Sequence, residues 1–337
     1  MIQKILIVGH GSIGKRHLRI ARALFPNADI RILRHLKTDN EIENKNDYFW
    51  DIEEALAFSP QIAVIANPAP FHVSIAKQLA QIGAHLLIEK PLSDSLDGIQ
   101  ELIKICEENQ VVLMVGYNLR YSPSLKKLKM YLLEGKVGKV LSVHSEVGQY
   151  LPSWRSDVDY RKTVSSQKKL GGGVLLELSH ELDYLRWLFG EVNWIYADLE
   201  KRSELELDVE DLANLILGFK NISATVKMDF FRRDTTRQCT VVGEKGTLLW
   251  DALLGSIQIY ESESEKWQTI FSHSPQKDET YISEWENFIA CIEGKAKPTV
   301  TGQDGFAIIK IIDAARESSR LGQCKIKKIA LKRIAYE

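Results

Sequence analysis

The sequence predicts an α/β protein in two parts: a doubly wound parallel sheet at the N-terminus, then an α+β domain with a mostly antiparallel, open sheet. Three observations carry this prediction. Short apolar runs alternate with amphipathic stretches over the first third of the chain. A glycine-rich turn joins the first run to the first such stretch, and from about Pro123 the pattern changes to longer runs of alternating character. The division is expected at residues 1–121 and 122–337.

Residues 4–8 read Lys-Ile-Leu-Ile-Val, a β-branched run that suits a strand covered on both faces. Runs at 30–33, 62–66, 85–88 and 111–115 repeat it, with amphipathic stretches at 70–83 and 96–109 between them. Later runs at 140–147, 212–219, 223–230 and 239–242 alternate apolar and polar residues. They predict a sheet with one face on helices and the other free, a surface suited to a homo-oligomer (dimer or tetramer). An amphipathic stretch at 305–321 predicts a last helix.

Composition excludes several classes. The chain has 337 residues, 45% hydrophobic and 26% charged, with a formal charge of −1, so nothing favours nucleic acid or an anionic membrane as partner. Cys106, Cys239, Cys291 and Cys324 lie far apart without metal-ligand spacing, which predicts reduced, mostly buried thiols and no metal site. No run reaches the roughly 18 apolar residues of a membrane helix, and a strand follows the first residues directly. The cytoplasm is the expected compartment.

The first turn is Gly9-His10-Gly11-Ser12-Ile13-Gly14, a G-x-G-x-x-G between strand and helix. In that context the first glycine permits the turn, the second admits a pyrophosphate to the backbone, and the third lets helix pack on strand. Together with the helix N-terminus, Ser12 and Ile13 this predicts a dinucleotide-binding Rossmann domain; the alternative is a glycine-rich turn with no ligand. At the end of the second strand stand Arg34 and Lys37, where NAD-dependent proteins commonly carry an acid. Arg34, supported by Lys37 or Arg16, favours NADP over NAD; a solvated basic turn is the alternative.

Ile65-Ala66-Asn67-Pro68, Phe71-His72, Glu89-Lys90-Pro91-Leu92-Ser93, Val115-Gly116-Tyr117-Asn118, Gly171-Gly172-Gly173 and Thr301-Gly302-Gln303-Asp304-Gly305 extend the pattern over nearly the whole chain. In these motifs it resembles the Gfo/Idh/MocA oxidoreductases, which include glucose-fructose oxidoreductase and inositol dehydrogenase. The resemblance implies that Asn67, Pro68, His72, Glu89, Lys90 and Asn118 lie with the cofactor. It implies that Lys90 acts beside the nicotinamide, moving a proton or polarising the reacting oxygen, and that the last helix packs back on the first domain. A structural ion pair of Glu89 with Lys90 is the alternative for that motif.

From Gly171 the chain runs on as Gly-Gly-Gly-Val-Leu-Leu-Glu-Leu-Ser-His-Glu-Leu-Asp-Tyr. At roughly 100° per residue, Glu177, His180, Glu181 and Tyr184 share one helical face, and Leu175, Leu178, Leu182, Leu185 and Phe189 another. The resemblance gives His180 the role of acid/base. The family's usual Asp, four residues earlier, is Leu176 here, so Glu177 becomes the candidate for orienting His180. Glu181 and Asp183 are expected on a solvated face.

Between the two parts, residues 148–162 form a polar, aromatic stretch in which Trp154, Tyr160 and Arg161 suit contacts to a sugar or an anion. Tyr117 and Arg120 suit the same role; each of these residues could equally close the structure. The expected function is an NAD(P)-dependent oxidoreductase that passes hydride between nicotinamide and a CH–OH group of a sugar-like small molecule. Similarity to members associated with bacterial envelope sugars suggests a nucleotide sugar, amino sugar or sialic-acid-like compound. The alternatives are glycoside hydrolysis with a retained NAD and no net redox, or a non-catalytic sugar or dinucleotide sensor.

Overall fold

The computed structural model describes residues 2–34, 47–155 and 157–321. Its first part comprises β1 (Lys4–Val8), α1 (Ser12–Leu24), β2 (Asp29–Leu33), β3 (Tyr48–Phe49), α2 (Ile52–Phe58), β4 (Ile62–Ile65), α3 (His72–Gln81), β5 (His85–Glu89), α4 (Ile99–Glu108) and β6 (Leu113–Gly116). The strands form one parallel sheet in the order β3-β2-β1-β4-β5-β6. The unbroken apolar runs of the sequence have their cause here: Ile5 to Val8, Ile62 to Ile65 and Leu86 to Ile88 are wholly buried because helices cover both faces. Strand order reverses between β1 and β4, which opens a crevice at their carboxyl ends.

The second part comprises α5 (Pro123–Leu133), β7 (Val140–Gly148), α6 (Val174–Glu177), α7 (His180–Phe189), β8 (Trp194–Glu200), β9 (Leu212–Gly218), β10 (Ser223–Asp229), β11 (Thr236–Gly243), β12 (Gly246–Asp251), β13 (Ser256–Glu261), β14 (Lys266–Ser272), α8 (Glu279–Ile292) and α9 (Gly302–Leu321). Its sheet has the order β14-β13-β12-β11-β7-β10-β9-β8, and every pair is antiparallel except β7 with β10. Register places Ala197, Leu215, Val226, Ser145, Cys239, Trp250 and Ile257 in one buried row. Helices meet this face through paired polar groups: Ser145 Oγ lies 2.6 Å from Tyr184 Oη of α7, and Trp250 Nε1 donates to Ser124 Oγ of α5 at 2.9 Å. Tyr196, Ile216, Thr225, His144 and Thr240 form a row on the opposite face. Cys106, Cys239 and Cys291 are free and buried, and burial pushes the thiols of Cys106 and Cys239 up to about 12. Cys324 lies outside the described residues.

The structure departs from the sequence expectations in three places. Strands β8 and β12 to β14 were not expected; β14 has hardly a buried residue and so carries little apolar alternation. The segment after the triple glycine is two helices, broken at Leu178 and Ser179, so the helical faces assumed across the break do not exist. Glu181 and Asp183 are therefore buried rather than solvated, and Tyr184 is buried with them. The last helix begins at Gly302, three residues early, because Asp304 accepts from both the backbone and the hydroxyl of Thr301 and closes its first turn.

α8 and α9 return the chain to the parallel sheet. Trp285 and Phe288 of α8 fill the core beneath Ile5, Ile7 and Leu18. Val115 N donates to Val300 O at 3.1 Å just before α9, while Ser318 and Ser319 accept from the backbone of edge strand β8. Arg120, following β6, is 3% exposed and makes a two-pronged pair with Asp183 of α7, at 2.9 and 2.6 Å. Its third nitrogen donates to Thr299 O, and Asp304 lies 3.5 Å away. Burial pushes the Asp183 carboxyl up to about 6 despite Arg120. Removing one partner leaves the other charge buried, so Arg120→Leu should cost about 3–5 kcal/mol in urea unfolding; a loss under about 1 kcal/mol would refute this structural role.

Candidate active site

A cleft of about 830 Å³ lies between the carboxyl ends of the parallel strands and a wall from the second sheet. Its floor begins at the glycine turn. Gly9 has φ +95°, and a Cβ there would stand 2.8 Å from Ala66 O; one on Gly14 would stand 2.1 Å from Gly9 O. Strand β1, strand β4 and α1 approach each other only because both side chains are absent. Gly11 differs, since a Cβ there would meet nothing within 4 Å. It adjoins the start of α1, which has no side-chain cap and no acid in its first turn. That open backbone with a positive helix end fits the pyrophosphate of a dinucleotide.

Other lining groups fit such a ligand. Gly9 to Ile13, Arg34, Asn67, Pro68, His72, Glu89 and Lys90 all line the cleft. Both polar atoms of the Asn67 amide are buried without a partner among the described residues. His72 is held by backbone instead: its Nε2 lies 2.6 Å from Asn67 O and its Nδ1 3.1 Å from Pro91 O. Burial pushes its pKa below the usual value, so the neutral ring donates its one N–H to one of these carbonyls. Arg34 ends β2, with its guanidinium 5.9 Å from the Tyr48 ring centroid. Arg16 is engaged by Asp278 at 3.0 Å. Lys37 lies outside the described residues.

Lys90 follows β5, and its Nζ donates to the carbonyl of Glu177 at 2.8 Å, bridging the two parts of the fold. His180 opens α7, is 9% exposed, and stands edge-on to Tyr117 at 5.5 Å. Its Nδ1 has no partner among the described residues. Burial, then the charges of Lys90 and Arg237, push the His180 pKa well below 6.5. The ring is therefore neutral near pH 7, and one of its two nitrogens carries no hydrogen. Glu177 does not orient it: the helix breaks between them, and the Glu177 carboxylate accepts from Ser165 Oγ at 3.1 Å.

Several expected substrate contacts, and one expected cofactor contact, stand elsewhere. Tyr117 is wholly buried, its hydroxyl 3.3 Å from Ser179 Oγ, and Arg120 is spent on Asp183. Asn118 is 7% exposed and donates to Thr280 at 2.8 Å rather than lining the cleft. Arg161 points away towards Asp159 and Glu206, and Tyr160 accepts from Glu206 N beside a small side cavity. Trp154 does line the cleft, edge-on to Phe230. The wall also contains Gln149, Arg155, Ser165, Thr236 and Arg237, which sequence spacing did not indicate. Arg237 lies 2.9 Å from the fully buried Glu181, an ion pair without hydrogen-bond alignment. Strand β11 brings it to His180 from far along the chain, so no local pattern marked it. Because Gly11 faces open space, Gly11→Ala should leave stability within about 0.5 kcal/mol. It should weaken NADPH or NADH binding at least about tenfold in a fluorescence titration, since the methyl takes the phosphates' place. Unchanged affinity would place the dinucleotide elsewhere.

Comparison with known proteins agrees with this geometry. Residues 3–117 match the profile described as oxidoreductase family, NAD-binding Rossmann fold, and residues 129–327 match its C-terminal alpha/beta domain. Myo-inositol 2-dehydrogenase of Thermotoga maritima is 25% identical over 337 residues, covering 94% of this chain and 96% of the relative. Among solved structures, levoglucosan dehydrogenase in complex with NADH and levoglucosan superposes with a TM-score of 0.82 at 21% identity, over 95% of this chain and 97% of that one. The WlbA dehydrogenase from Bordetella pertussis, in complex with NADH and UDP-GlcNAcA, gives 0.79 at 21% identity, with the same coverage. With both of its domains matched, the chain belongs to the Gfo/Idh/MocA oxidoreductase family and carries that family's NAD-binding Rossmann domain.

Proposed function

We propose that the protein interconverts a secondary alcohol and a ketone on a sugar or sugar derivative held in the cleft. One observation carries this: a neutral, largely buried His180 lines the same cleft as the Lys90 side chain and the dinucleotide turn. A bound nicotinamide accepts or returns the hydride. In the oxidation direction the His180 imidazole takes the hydroxyl proton, and the ammonium of Lys90 stabilises the charge that develops on the oxygen. Lys90 also helps keep His180 unprotonated, so the base is ready before substrate arrives. Trp154 and Gln149 supply an apolar face and an amide suited to a sugar ring. The named relatives, a dehydrogenase of myo-inositol and dehydrogenases solved with levoglucosan and UDP-GlcNAcA, support a polyol or sugar.

Two finer points belong to the same proposal. NADP(H) is preferred over NAD(H), because the side chain lining the cleft at the end of β2 is Arg34 and, among the described residues, no carboxylate lines the cleft beside it. The outward row containing Tyr196 and Ile216, 44% and 37% exposed, supports a homo-oligomer through the second sheet.

The His180 assignment makes a pH prediction. A pKa depressed below 6.5 means that alcohol oxidation stays level as pH falls from 8 through 6.5 and declines only below that. His180→Asn should reduce kcat by about 100- to 10,000-fold and remove the acid limb. A limb at or above pH 6.5, or a variant with normal turnover, would exclude His180 as the base. For the cofactor, Arg34→Ala should weaken NADPH about tenfold or more and NADH little, since it removes a charge-assisted phosphate contact. An equal effect on both would remove the NADP argument.

A further inference from the structure

His17 lies on α1 with no exposed surface, and both its ring nitrogens are engaged. Trp285 Nε1, on α8, stands 3.0 Å from His17 Nδ1, and His17 Nε2 stands 2.8 Å from Glu89 Oε1. An indole N–H only donates, so Nδ1 accepts and the ring hydrogen sits on Nε2, from which it is donated to Glu89. The indole sets the tautomer. The other Glu89 oxygen, Oε2, accepts the backbone N–H of Lys90 at 3.1 Å. Lys90 Nζ then reaches the Glu177 carbonyl. One run of hydrogen bonds leads from α8 through α1 and the end of β5 to Lys90, and across the cleft to α6.

The surroundings of Glu89 show why a dedicated donor matters. The titratable groups facing it among the described residues are His17 of α1, His72 of α3, Tyr281 and Glu284 of α8, and Lys90 next in chain; burial lowers the His72 pKa and backbone carbonyls flank both of its nitrogens. Arg16 is taken by Asp278. Burial first, and then the charge of Glu89, push the Tyr281 hydroxyl up and the Glu284 carboxyl well above its usual range, so both stay uncharged. Neither Glu284 oxygen has a partner among the described residues. Without His17, the cation next in chain to Glu89 is Lys90, whose backbone N–H the carboxylate already accepts.

We propose that His17 is a positioning residue for the reaction. By donating from Nε2 to Glu89 it keeps that carboxylate off the Lys90 ammonium, so that the ammonium faces the cleft. This rests on the role given to Lys90 above. It also assigns Trp285 a function beyond filling the core, since its N–H decides which His17 nitrogen carries the hydrogen.

Lys90 reactivity reports the arrangement without turnover. His17→Leu removes the donor, and His17→Gln restores an N–H near the place of Nε2. Acetylation of Lys90 by acetic anhydride, followed by mass spectrometry on the full chain with and without NADPH, should slow about tenfold in His17→Leu, as capture of an ammonium by one carboxylate requires. The rate should return in His17→Gln. Equal labelling in all three proteins overturns the proposal, as does equal slowing in both variants, which marks a structural role alone. Nitrogen NMR of the unaltered protein gives a test independent of whether the variants fold. His17 should show hydrogen on Nε2 and none on Nδ1, and hydrogen on Nδ1 overturns the assignment. Failure of the functional reading looks different: Lys90→Met that still oxidises myo-inositol or levoglucosan with NADP or NAD would refute that reading and leave the labelling result standing.

Discussion

The buried pair of Arg120 with Asp183 is the constraint on which the site depends. Arg120 follows β6 of the parallel sheet, Asp183 lies one turn into α7, and Thr299 and Asp304 bring in the start of α9. Those segments belong to different parts of the chain, and their meeting point stands one helical turn from His180. Two ions at this depth pay a large desolvation cost that only their mutual geometry offsets, so the arrangement tolerates little displacement. His180 inherits that precision because it begins the same helix.

From this anchor the electrostatics of the cleft follow. His180 is buried between two cations, Lys90 and Arg237, and stays neutral for that reason. Arg237 is partly compensated by Glu181 behind it, whose carboxyl burial pushes up while Arg237 pulls it down. Lys90 is tethered to a carbonyl rather than a carboxylate, so its charge is not cancelled across the gap. A developing alkoxide would meet fixed positive charge and a ready proton acceptor in a partly dry site, which needs little reorganisation at the moment of reaction.

The parallel sheet was legible because its physics is local. Residues 5–8 and 62–65 must be apolar throughout when both faces are covered, and Gly9 and Gly14 must lack side chains where β1, β4 and α1 converge. The second sheet was half legible: β7, β9, β10 and β11 alternate clearly, whereas β14 is too exposed to show a period. The helix after the triple glycine misled for a related reason. Periodicity assumes an unbroken helix, and the break at Leu178 and Ser179 turned Glu181, Asp183 and Tyr184 inward, where Arg237, Arg120 and Ser145 receive them.

The sequence by itself determined the two kinds of sheet and the dinucleotide turn, because each rests on spacing along a strand or turn, while Lys90 and His180 became candidates through the family motifs that carry them. Tertiary structure alone decided which polar residues serve the cleft and which serve the frame. Arg120 and Tyr117 look like site residues one after another along the chain, yet their partners Asp183 and Ser179 take them into the interior. Arg237 and His17 carry no local sign, and their importance comes from groups far away in sequence that burial leaves them to satisfy. A charge or a hydrogen-bonding nitrogen inside a protein is defined by what faces it, and that is set only when distant segments pack.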